Sequence, residues 1–214
     1  MALYIAGAGG FGRETLDALL ACGETAAAFL DERRAGTRCR GLPVLHPEDA
    51  PEDAEFVVGI GDPAARQRLA GLLRGRGLVP RTVVHPRAVV GPETVLGPGS
   101  VVLANAHLSS SIRGGSHVQV NYNATVGHDA VLGDFVTILP GANVAGTVEL
   151  GEGVTVGSNA CVLQGLSIGP RTIVGAGAVV TRPIGGGELV VGIPARPRPI
   201  RRASGHDADR SHPL

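Results

Sequence analysis

From Val90 onward the chain keeps a six-residue clock. Aliphatic side chains stand at Val90, Leu96, Val102, Leu108, Val120, Val126, Leu132, Ile138, Val144, Leu150, Val156, Val162, Ile168, Val174 and Val180, with Gly114 the single interruption. Glycine is the next residue at many of these steps, as at Gly91, Gly97, Gly115, Gly127, Gly133 and Gly151. Two residues before each aliphatic stands a small or β-branched residue almost throughout, for example Ala106, Ala124 and Ala142. A helical period of 3.6 does not produce this pattern. Short β segments separated by glycine-bearing corners do, because glycine accepts the backbone angles of a tight corner and β-branched residues suit the faces between corners. The pattern predicts a β-solenoid with three six-residue steps to a coil and the aliphatics stacked in an inner column.

Residues before this run obey a different rule. "LYIAG", "TAAAFLDE" and "EFVVGIGD" read as strands, and "RETLDALLACG" and "PAARQRLAGLLRGRG" as helices, which makes a small βαβ domain around a parallel sheet. Gly7, Gly9 and Gly12 spell G-x-G-x-x-G between the first strand and its helix, and Asp31 falls at the end of the next strand. That context favours a phosphate at the helix N-terminus, where backbone N–H groups and the helix dipole attract it, although glycines serving only a tight turn give the same motif. About half of a dinucleotide-binding sheet is present, which suits a nucleotide sugar better than NAD. The expected division is a Rossmann-like domain over 1–82, a solenoid over 83–200 and a disordered tail over 201–214.

Composition supports both parts and excludes several function classes. The 214 residues include 33 glycines and 15 prolines but no tryptophan, and aromatics make up 3%. Such a chain suits a repetitive fold of narrow cross-section, and 43% hydrophobic residues argue against overall disorder. Lysine plus arginine equals aspartate plus glutamate at 19 each, so there is no basic field for nucleic acid or an anionic membrane. Cys22, Cys39 and Cys161 are scattered without metal-ligand spacing and fit reduced thiols in the cytoplasm. "MALYIAGAGG" has no basic n-region and reads as a strand rather than a signal peptide or membrane span. The cytoplasm is the expected location.

Among the seven histidines, His46, His206 and His212 read as solvated side chains. His85, His107, His117 and His128 lie in the solenoid, but their spacings miss the coil repeat, which argues against a shared metal. His128 is followed at once by Asp129 in "NYNATVGHDAVLGDF", where an imidazole with a carboxylate beside it can act as a base near neutral pH. Asn121 and Asn123 upstream either hold a substrate or ladder within the coil. Cys161 reads as core filler beside Val162 rather than an acyl carrier. The oxyanion of an acyl transfer would need backbone N–H donors, which glycine-rich corners leave accessible.

The segments "VGPETV LGPGSV" and "LGEGVT VGSNAC VLQGLS IGPRTI VGAGAV" resemble the hexapeptide repeats of left-handed parallel β-helix acyltransferases, and "VVGIPARP" resembles the V-x-G-x-P-A element that closes many of them. With the front domain, the whole is similar to the bacterial sialic acid O-acetyltransferase and UDP-4-amino-sugar N-acetyltransferase family. "N-x-x-A-x-V-x-H-D" resembles the motif around that family's base, which implies a catalytic role for His128 with Asp129. The resemblance implies acceptor contacts at Gly9, Gly10, Phe11, Asp31, Glu32, Gly61 and Asn121. It also implies acetyl-CoA in a groove between neighbouring β-helices of a homotrimer, at Thr137, Gly146, Ser158 and Ala176. Phe11 and Thr137 depart from the family's polar residues at their positions. The expected activity is acetyl transfer from acetyl-CoA, without a metal, to the amine of a nucleotide-linked amino sugar. O-acetylation of sialic acid or another sugar, and a non-catalytic or metal-dependent hexapeptide protein, remain as alternatives.

Overall fold

The structure is a computed structural model and describes residues 1–199; the segment expected to be a disordered tail lies outside the described residues, as do His206 and His212. The front domain runs β1 (Leu3–Ala6), α1 (Gly10–Ala21), β2 (Ala28–Leu30), β3 (Arg38–Cys39), β4 (Leu42–Leu45), β5 (Glu55–Val58), α2 (Pro63–Gly75) and β6 (Val79–Pro80). These strands form one sheet in the order β3-β4-β2-β1-β5-β6. All neighbours are parallel except β3 and β4. That short antiparallel edge was not expected. It turns at Arg40 and Gly41, whose φ of 49° and 81° make a tight hairpin corner.

From Val83 to Val191 the chain coils as a solenoid of two- and three-residue strands on three parallel sheets. The register repeats every coil: Val101 pairs with Gln119, Gln119 with Thr137, and Thr137 with Thr155. The inner column is the aliphatic series of the sequence, with Val102, Leu108, Val120, Ile138, Val156 and Val174 each fully buried. The small residues two before each aliphatic, such as Ala106, Ala124, Ala142 and Ala160, are fully buried as well and fill the corners. At the start of the solenoid no lower coil exists, and Val90 stays 41% exposed. Gly114 interrupts the aliphatic series because the Leu96 side chain occupies the space where its Cβ would stand, at 2.4 Å. The chain closes with Leu189–Val191 and an antiparallel return over Arg196–Arg198.

The recurrent glycine has a different cause from the one expected. The residues with positive φ lie two positions beyond it and are mostly not glycine, including Glu93, His117, Asp129, Phe135 and Asn159. At the glycines themselves, a Cβ would meet the backbone of the next coil, 2.4 Å from the nitrogen of Gly146 at Gly127 and 2.5 Å from that of Ala176 at Gly157. Glycine is there because coils stack at close range, not because the corner demands its conformational freedom.

The front domain rests on the first solenoid sheet. Val83, Val101 and Leu103 share one buried cluster with Ile5, Leu16, Leu19 and Val57, and Phe11 and Tyr122 pack against its edge. Higher up, the ring of His117 is stacked between Phe56 and Phe135, at centroid distances of 6.0 Å and 5.1 Å.

Candidate active site

Several corners of the solenoid present two outward residues just after a glycine. At the corner between the strands Thr125–Val126 and Val131–Leu132, these are His128 and Asp129. Asp129 takes the left-handed conformation, φ 59°, which turns its carboxylate back along the corner. Its Oδ2 lies 2.7 Å from His128 Nδ1, with the two side chains 52% and 59% exposed in the order His128, Asp129. A carboxylate accepts, so in the neutral imidazole it selects the tautomer with the proton on Nδ1 and the lone pair on Nε2. One coil higher stands Gly146, and a Cβ there would lie 2.6 Å from His128 Nε2. The missing side chain makes the space into which the basic nitrogen points. The Gly146 N–H donates to no backbone acceptor among the described residues.

The remaining positions expected to hold acetyl-CoA divide. Ser158 and Ala176 stack in consecutive coils at a different corner, the one between the first and second sheets, where both are at least partly exposed. Thr137 belongs to neither corner and corrects the expectation. It is 1% exposed, and its hydroxyl accepts from Arg66 at 2.8 Å and lies 3.3 Å from the Gly61 carbonyl. It faces the protein's own front domain. Asn121 is 3% exposed and its amide donates to the Ile138 carbonyl at 3.0 Å, so it serves the coil stack rather than presenting itself to an acceptor. Cys161 is also corrected: its side chain sits on the outward face, half-buried, beside Asn143 and Val179.

In the front domain a cavity of about 540 Å³ opens beside the end of β2, lined by Gly7, Asp31, Glu32, Ile60, Arg68 and Leu72 among others. That volume suits a nucleotide-sized ligand. Asp31 is largely occupied: Oδ2 accepts from the Ala8 N–H at 3.0 Å and Oδ1 from the Arg33 N–H at 3.1 Å, which shapes the glycine turn. Glu32 is exposed and makes no such bond among the described residues. The glycines of this turn are of two kinds. Gly7 and Gly12 are packing positions, since a Cβ at Gly12 would fall 1.9 Å from the Gly7 carbonyl oxygen. Gly9, Gly10 and Gly61 have nothing within 4 Å of a Cβ position and no positive φ, so nothing in the chain itself requires glycine there. Gly9 caps α1, leaving the first N–H groups of that helix open to an anion. Phe11 does not line the cavity; it is half-buried against the seam cluster.

The sequence reading missed Arg68, Leu69 and Leu72, which line the cavity with Ala65. The signal was present as one helical stripe on α2, at spacings of three, four and seven. It also missed Arg66, which carries no motif. Among the described residues, no three His, Cys, Asp or Glu side chains converge as a metal site, and no helix is long and apolar enough to cross a membrane.

A front cavity beside the glycine turn, a parallel β-solenoid and a corner His–Asp pair together define a two-domain hexapeptide-repeat transferase. Residues 2–73 match the PglD N-terminal domain family and residues 147–182 the bacterial transferase hexapeptide (six repeats) family. Among solved structures, the chain is 34% identical to a histidine-to-asparagine variant of perosamine N-acetyltransferase from Caulobacter crescentus in complex with CoA and GDP-perosamine. That match covers 94% of this chain and 98% of the other, with a TM-score of 0.88. The acetyltransferase domain of PglB from Neisseria gonorrhoeae is 33% identical, covering 92% and 99% with a TM-score of 0.86, and WeeI from Acinetobacter baumannii is 33% identical, covering 92% and 100% with a TM-score of 0.87. No curated protein matches the chain. The chain belongs to the left-handed β-helix, hexapeptide-repeat sugar acetyltransferases that carry a PglD-type N-terminal domain.

Proposed function

We propose that the protein transfers the acetyl group of acetyl-CoA to the amine of a nucleotide-linked amino sugar, with His128 as general base. The observation that carries the base assignment is the His128 Nδ1 to Asp129 Oδ2 contact of 2.7 Å, with Nε2 facing the space left by Gly146. Family membership supplies the reaction class: relatives of this chain were determined with CoA, acetyl-CoA and GDP-perosamine bound. The front cavity holds the nucleotide, with the diphosphate at the open Gly9–Gly10 end of α1 and Glu32 available to hydroxyl or base N–H donors.

In this reading His128 Nε2 takes the proton of the sugar amine as its nitrogen bonds to the thioester carbonyl. Asp129 holds the ring's tautomer and favours the imidazolium that forms. The N–H of Gly146 donates to the oxyanion, and loss of the C–S bond leaves a thiolate to which the imidazolium returns its proton. The side chains do no covalent chemistry, and Cys161 has no part.

The same reading requires more than one copy. His128 and Gly146 stand at one corner of the solenoid, Ser158 and Ala176 at another. One CoA meets both sets when two solenoids lie side by side, which a closed ring of three provides. We place this homotrimer in the cytoplasm, where acetyl-CoA and nucleotide sugars are available.

The test incubates the purified protein with acetyl-CoA and GDP-, UDP- and dTDP-linked 4-amino sugars, following free thiol release and product mass. Acetylation of one of them at the amine supports the reading. Acetylation of free sialic acid, or no thiol release with any acceptor while acetyl-CoA stays unbound, overturns it. Light scattering that gives an active monomer of 21.7 kDa would contradict the trimer.

A further inference from the structure

The mechanism above leaves one large buried cation unused. Arg66, on α2, is 0% exposed, and its guanidinium is where the two domains meet. It donates to the carbonyls of Ile60 and Gly61 at 2.8 and 3.0 Å, to those of His117 and Phe135 at 3.1 and 2.6 Å, to Gln119 Oε1 at 2.9 Å and to Thr137 Oγ1 at 2.8 Å. None of these acceptors is a carboxylate. Asp62, whose charge acts on Arg66, spends its Oδ1 capping α2 at the Ala65 N–H. Burial holds the pKa of Arg66 down to about 9, a mark of how far the group sits from water.

A buried cation without an anion is a poor way to add stability, since a well-packed apolar plug does as well or better. What a guanidinium does provide is a planar fork of fixed geometry. Its partners here fall into two sets. Ile60 and Gly61 form the loop between β5 and α2, and Ile60 is a wall of the nucleotide cavity. His117, Gln119, Phe135 and Thr137 come from two successive coils of the solenoid. Gln119 reinforces the link, its Nε2 donating to the carbonyls of Val58 and Ile60 at 3.1 Å each. The other stripe of α2 carries the cavity residues Ala65, Arg68, Leu69 and Leu72, so a shift of Arg66 moves that wall too.

We propose that Arg66 is a positioning residue for the acceptor: its guanidinium fixes the wall of the nucleotide cavity to two coils of the solenoid, so that the bound nucleotide sugar is presented to the acetyl-transfer site in a single register. The inference rests on the reading of the front cavity as the acceptor site. It separates the two substrates, because the corners assigned to acetyl-CoA lie away from the Arg66 contacts.

The experiment compares wild type, Arg66→Lys and Thr137→Val. Calorimetry gives the Kd for CoA and for GDP, UDP and dTDP, steady-state kinetics gives KM for each substrate, and a thermal melt reports folding. For Arg66→Lys the expected result is at least about tenfold weaker binding of the preferred nucleotide and a matching rise in acceptor KM, with the CoA Kd within about twofold. Thr137→Val, which removes one acceptor on the solenoid side, should move the acceptor KM in the same direction by about threefold. A folded Arg66→Lys protein with unchanged acceptor KM, or with both ligands weakened in equal proportion, overturns the inference. If Arg66→Lys does not fold, Thr137→Val decides on the same criteria. A wild type that binds none of the three nucleotides defeats the cavity reading itself, and the inference with it.

Discussion

In the solenoid, a Cβ added at Gly127 would stand 2.4 Å from a backbone nitrogen of the next coil; in the front domain, a Cβ added at Gly9, Gly10 or Gly61 meets nothing within 4 Å. The first glycine is held by the protein's own backbone, and the other three are not. The contrast separates architecture from site: where the fold explains a glycine it need say nothing about a ligand, and where the fold leaves one unexplained, close approach of something outside the chain is the remaining physical reason. Gly146 belongs to both classes. It stands in the stacked corners, yet what a Cβ there would strike is the His128 ring, not the backbone of the neighbouring coil.

The largest expected effect lies at the seam between the two regions. His117 is 1% exposed, and neither ring nitrogen has a hydrogen-bond partner among the described residues. Burial, with the charges of Arg66 and Arg74 next in weight, pushes its pKa down to about 4. The unfolded chain binds this proton near pH 6.5 and the folded chain only near 4, so stability is intact above pH 6.5 and is lost as pH falls through that window. The loss reaches up to about 3 kcal/mol, each pKa unit being worth about 1.4 kcal/mol. His117→Phe, at a corner conformation that Phe135 also adopts, should flatten the profile in chemical denaturation between pH 7 and 4. An equal slope in both proteins would place the titration elsewhere.

Next comes Gly146→Ala, whose methyl group displaces the imidazole. Turnover should fall about a hundredfold, the cost of misplacing a catalytic group by about 1 Å, while the melting temperature moves little. A mere loss of stability with normal turnover would return Gly146 to the architectural class. Gly157→Ala should do the reverse, with a stability loss of about 1–3 kcal/mol from overpacking between coils and a normal KM in whatever fraction stays folded. The smallest expected effect is on stability at Gly10: Gly10→Val should leave the melt nearly unchanged and weaken nucleotide binding by about tenfold or more, since backbone approach is what glycine permits there. A Gly10→Val protein that binds nucleotide normally would erase the contrast.

How much of this was legible in the sequence depended on range. The six-residue period marked the solenoid's inner residues because each coil repeats the same local problem, and strand pairs such as Val101–Val102 and Thr137–Ile138 end on the predicted aliphatics. The His128–Asp129 pair was visible because its members are adjacent. The cause of the recurrent glycine was not, since it lies in a neighbour one coil away. Arg66 reaches partners 51 to 71 residues distant, and no periodicity announces such contacts. Thr137 and Asn121 matched a family pattern by position, but their side chains are spent inside this chain. The β3–β4 hairpin went unseen because β3 is a two-residue strand outside any repeat and carries almost no pattern of its own.

The role proposed for His128 is removal of the acceptor's proton. Its most direct test is the single-turnover rate of acetyl transfer by His128→Ala, with the CoA and nucleotide Kd measured on the same preparation. The rate is expected to be lower by about a hundredfold to ten-thousandfold, the range for a lost general base, with both affinities close to wild type. A folded His128→Ala enzyme that keeps more than about a tenth of the wild-type rate would contradict it and make the histidine a bystander at its corner.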